Sequence, residues 1–212
     1  MKLLLYMKHW QLFLLLFGAP IIFEIILMTT IFPQLFTNSS AQGVAKNVMP
    51  LFFTCFFITM IIILSIFFTW FWTIGTNLYT KLLPTASISL KRFKAFLIFP
   101  VIYMFAIIGL MAFMASGFNF FAIQGNAGQP DAMQSASIPS IILLIIPLHL
   151  FAMFCMFYLL YFVAKTLKAV ELQRPVEFGD YAGEFFLLWF FFIGVWVLQP
   201  RINRIFAENT VS

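Results

Sequence analysis

The feature that most limits this chain is a run of side chains from Gln11 to Phe32 in which the single charge is Glu24. Three further runs follow: Val48 to about Tyr79, Phe93 to about Ser116, and Ile138 to about Ala164. An α-helix rises 1.5 Å per residue, so ~20 apolar residues cross a hydrocarbon core roughly 30 Å thick. Inside lipid every backbone N–H and C=O must be satisfied within the element, and a helix does this by itself. The sequence therefore predicts an all-α, polytopic membrane bundle with four transmembrane helices, occupying residues 1–212 as one integral membrane domain without a soluble one.

Composition agrees. Hydrophobic residues make up 63% of the 212 and charged residues 9%, against about a quarter charged in soluble domains. A net charge of +5 in a soluble protein suggests nucleic acid, but here the cations sit in short loops beside apolar runs, where they orient the chain. No nucleic-acid partner is expected; the lipid bilayer is the first partner. Cys55 and Cys155 both fall within spans, which predicts free thiols rather than a disulfide. The opening segment has the charged flank and apolar core of a signal peptide, yet no small-residue cleavage pattern follows, so it reads as an uncleaved first helix.

Lys2 and Lys8 precede the first span, Lys46 lies in the first loop, and Lys81, Lys91, Arg92 and Lys94 fill the second. The third loop has no cation and the fourth stretch has Lys165, Lys168 and Arg174. The positive-inside rule then puts the amino terminus in the cytoplasm of a cell (inner) membrane, multi-pass. A fifth apolar run, Phe185 to Gln199, has 15 residues, only ~22 Å of helix. If it returns rather than crosses, Arg201 and Arg204 join the inner side and eleven of the twelve cations lie there, so charge favours return. Gly194 is the expected turning point and Pro200 the expected end. Asn38-Ser39-Ser40 matches a glycosylation acceptor, a weak three-residue pattern, and residues 117–137 read as an irregular outer loop.

Glu24 lies about 4 Å beyond the midpoint of the first span, too deep to reach water along its own stem. His149 lies at a matching depth, about 3 Å beyond the midpoint of the fourth. A Glu24–His149 pair is thus the most economical way to satisfy both, either as a proton or ligand site or as a bond that fixes helix register; the other possibility is no contact, with Glu24 protonated or hydrated in a crevice. Pro20 and Pro147 kink the two helices nearby. Ala106, Gly109, Ala112 and Ser116 form a stripe of small residues on the third span, suited to close helix packing. On the inner side Asp180 is expected to cap a helix starting near Tyr181, with Glu184 one turn further in.

No recognised nucleophile spacing, phosphate loop or metal-ligand pattern is present, so no cofactor, metal or catalytic residue is assigned and an enzyme is the less favoured class. The Met153, Cys155 and Met156 group points in several directions on a helix and is better read as packing. The resulting expectation is a membrane subunit or accessory component of a transport system, served by other membrane subunits or a separate cytoplasmic ATPase. A structural or assembly scaffold is the alternative, and a lipid-modifying membrane enzyme the third.

Overall fold

The computed structural model describes residues 3–37, 49–83, 88–117 and 132–207, and among them there is no strand. In chain order the helices are α1 (Leu3–Tyr6), α2 (His9–Phe13), α3 (Ala19–Thr37), α4 (Met49–Tyr79), α5 (Leu90–Gly117), α6 (Ala132–Leu172), α7 (Phe178–Trp189) and α8 (Phe191–Ala207). Four stretches are long and apolar enough to cross a membrane: His9–Thr30, Leu51–Tyr79, Leu90–Ala112 and Leu143–Leu172. The protein is an all-α polytopic bundle, as its apolar runs dictate. Helix α6 begins at Ala132, so the expected outer loop is shorter at its second end; its residues 118–131, like Asn38 to Ser40, lie outside the described residues.

The first span is not one regular helix. Between α2 and α3 the chain makes a π-helical turn, Leu14–Gly18, in which the Ala19 N–H reaches back to Leu14 O. Pro20 follows directly. Its ring has no N–H to give and crowds the preceding turn; widening the helix by one residue relieves that crowding and changes the face that α3 presents.

The packed core lies in the half of the bundle nearest the amino terminus. Its largest buried members are Trp70 and Phe71 on α4, Phe93 on α5, Phe162 on α6 and Leu198 on α8. Three spans are stitched together at Gly75: a Cβ there would overlap the tip of the Phe93 ring, and that ring stacks on Phe162 at 4.2 Å between centroids. Because lipid tails are as apolar as the core, close packing rather than water exclusion holds such helices together.

Helices α7 and α8 form an antiparallel hairpin wedged into this core. The chain reverses at Phe190, whose backbone (φ −85°, ψ 57°) leaves the helical region. The expectation that Gly194 makes the turn is corrected: Gly194 is helical, and its role is close approach, since a Cβ there would overlap the Leu187 carbonyl. Pro200 does not end the segment either, because α8 continues through it to Ala207. On its way back α8 runs along the first span, with Phe17 against Phe192 (5.5 Å), Phe13 against Phe192 (5.2 Å) and His9 against Trp196 (4.9 Å). The hairpin therefore enters and leaves on the face that carries the amino terminus.

Candidate functional site

Where the hairpin meets that face, four charged side chains from three helices interlock. Helix α6 continues to Leu172 and carries Lys168 and Glu171 near its end. Gln173 then ends the helix at positive φ (48°), a left-handed closure. Arg201 on α8 donates through Nε to Glu171 Oε1 (2.8 Å) and through Nη2 to Glu184 Oε1 (2.7 Å). Lys168 Nζ donates to the same Glu184 oxygen at 3.2 Å. Its distance to Glu171 is 3.9 Å, so the local pair within α6 is the weaker of its two contacts.

Glu184 is only 5% exposed. Burial pushes its carboxyl up, but hydrogen bonds from Arg201, its own backbone and Lys168 outweigh that and hold it below the ordinary value of 4.5. Arg201 is raised, first by its bond to Glu171, and stays charged. The expected interface acid is thus the buried centre of a latch joining α6, α7 and α8.

Asp180 differs from expectation in its position. Helix α7 starts three residues earlier than predicted, at Phe178, so Asp180 is its third residue and not its cap. The Asp180 carboxylate accepts from the Glu177 N–H (3.0 Å) and from both Arg174 amino groups (3.2 and 2.9 Å). These bonds, the backbone one first, hold its carboxyl below the usual range.

The structure does not bring Glu24 to His149. His149 Nδ1 is 3.0 Å from the Tyr103 hydroxyl on α5, whereas among the described residues Glu24 has no hydrogen bond or ion pair. Matched depth is not matched azimuth: α3 packs on α4 and the π-helical turn, and α6 packs on α4, α5 and α7. Tyr103 and His149 instead line an apolar groove of about 310 Å³ whose wall includes Phe67, Met156 and the hairpin-tip residues Trp189 and Phe191. Of the small-residue stripe, Ala106 and Gly109 are exposed and Ala112 is half-buried. A Cβ on Gly109 would touch nothing within 4 Å, so the stripe faces outward; the side chain of Ser116 lies outside the described residues.

Sequence reasoning missed a second buried node. Gln199, fully buried, accepts from Trp70 Nε1 (3.0 Å) and donates to Leu4 O (3.0 Å) and Met7 O (3.1 Å). Asn203 also donates to Met7 O, at 3.0 Å. The available signal was a lone amide closing an apolar run. No family model, curated protein or solved structure matches the chain.

Proposed function

We propose that the protein is a membrane subunit of a larger assembly, inserted in the inner membrane with its amino-terminal face in the cytoplasm, and that another protein's transmembrane helix packs on the outer half of α3. The observation that carries this reading is Glu24. It is half-buried and, among the described residues, unpartnered, on the apolar stretch of α3 where Leu27 is buried but Ile21, Ile22, Phe23, Ile25 and Ile26 are all exposed. A carboxyl facing hydrocarbon without a partner costs several kcal/mol if ionised and a hydrogen bond if neutral. The occupant that relieves this is a helix presenting an N–H, O–H or cationic donor at the same depth. The outward Ala106 and Gly109 offer a second close-packing surface.

Transport and scaffolding remain the two roles for such a subunit, and Glu24 favours transport because a titratable group at this depth is what a proton path requires. A cytoplasmic ATPase, if the assembly is energised, would dock on the basic amino-terminal face.

The test is the size of the complex extracted from native membranes in mild detergent. Glu24→Leu should release the protein as a smaller species while Glu24→Gln, which keeps the hydrogen bond, should leave the complex intact. A wild-type protein that is already monomeric overturns the reading. If the Glu24→Gln assembly persists but the physiological process stops, the role is transport; if the process continues, it is scaffolding.

A further inference from the structure

The groove beneath the hairpin tip carries a second inference, independent of the assembly proposed above. Its depth follows from the helices that form it. Lys91, Arg92 and Lys94 flank Phe93 and mark where α5 leaves the charged interface. Tyr103 is ten residues further on, about 15 Å at helical rise, which is half of a core ~30 Å thick. His149 lies thirteen residues from Phe162, the stacking partner of Phe93, about 20 Å by the same rise. The pair therefore sits near the middle of the membrane.

At that depth glycerolipids offer only methylene and methyl groups, yet the groove holds hydrogen-bonding chemistry. Tyr103 is 6% exposed, and its hydroxyl shares one bond with His149 Nδ1. If the hydroxyl donates, the imidazole proton lies on Nε2; if Nδ1–H donates, the hydroxyl proton is left over. Either way one donor is unspent among the described residues, and an unspent donor in hydrocarbon calls for an acceptor. The rest of the wall is apolar, with Phe67, Met156, Phe157, Trp189 and Phe191 as its aromatic and thioether members among aliphatic ones. Trp189 leans on Phe157 at 4.5 Å between centroids and is half exposed at the hairpin tip, 48%.

We infer that this groove binds an isoprenoid quinone. Such a ligand joins an uncharged ring with carbonyl acceptors to an apolar tail, so its ring can reach mid-membrane, accept a hydrogen bond from the spare donor of the Tyr103–His149 pair and lie against Trp189. An acyl chain fills the same space but leaves the donor unanswered.

The test uses the full-length protein in phosphatidylcholine nanodiscs with decyl-benzoquinone as probe, read by tryptophan quenching. Binding should saturate, and Trp189→Phe should remove the saturable part. Decylbenzene, which has the tail and ring but no carbonyl, should compete at least about fivefold less well, the effect of one hydrogen bond. His149→Leu should weaken the quinone by a similar factor, and Ala152→Phe, which fills the groove, should abolish saturation. Equal potency of decylbenzene overturns the proposal in favour of an acyl-chain groove. Quenching that rises linearly with quinone content overturns it altogether. Both outcomes are read on the wild-type protein, so a variant that fails to fold does not protect the idea.

Discussion

Gly75 and Gly194 are both required by their neighbours. At Gly194 a methyl group would overlap the Leu187 carbonyl, backbone against backbone, and neither helix of a tight hairpin can yield without losing its packing. Gly194→Ala is expected to cost about 2 kcal/mol or more, in the range of overpacked cores, whereas Gly109→Ala, with open space around it, should not destabilise the isolated protein. Unfolding midpoints in mixed detergent compare the two directly. Glu184 makes a second residue-scale prediction. Glu184→Ala leaves Lys168 and Arg201 facing each other; since their side chains are 24% and 28% exposed, the cost is about 2 kcal/mol, between surface and buried values. Because the folded carboxyl titrates below its ordinary 4.5, its contribution is complete above that pH and fades as pH falls through the lower folded value. Wild-type stability should therefore drop on acidification below about 4.5, and the Glu184→Ala protein should lose less over the same interval. An identical acid slope in both would remove Glu184 from the latch.

Among the elements, the spans were legible because twenty apolar residues have few other uses, although the fourth runs to Leu172, well beyond the expected end near Ala164. The return of the last segment was legible in outline for two separate reasons, its length and the arginines behind it. How it returns was not. A glycine in an apolar run signals equally a turn or a close approach, and only the position of Leu187 decides between them. The Glu24–His149 pair shows a related limit: residue counting gives depth along a helix, while the π-helical turn before Pro20 resets the face in a way no spacing rule reports. The Tyr103–His149 pair was hidden because a tyrosine in a span reads as packing. A cysteine at Lys8 and another at Arg204, in a background without Cys55 and Cys155, should react with a membrane-impermeant reagent from the same side. Reaction from opposite sides would mean that the fifth segment crosses after all.

Taken whole, the described residues pack tightly toward the amino-terminal face and only lightly on the other. The latch, the Gly75 contact and the Gln199 node all lie in the first half, while exposed Ile25, Leu143 (76%) and Leu144 (64%) represent the second. That asymmetry has a consequence for biogenesis. Gln199 holds the Leu4 carbonyl across 195 positions of sequence, so the amino-terminal helices enter the membrane long before the amide that completes them has been made. At about 5–20 residues per second of synthesis, the delay is on the order of 10–40 s. Throughout it the first span must wait with its inner carbonyls satisfied by water or headgroups, because the hairpin that supplies the amide is made only after α4, α5 and α6. Completion of this core is thus tied to the synthesis of α8, and until then the insertion and quality-control machinery meets an amino-terminal span that lacks its partner.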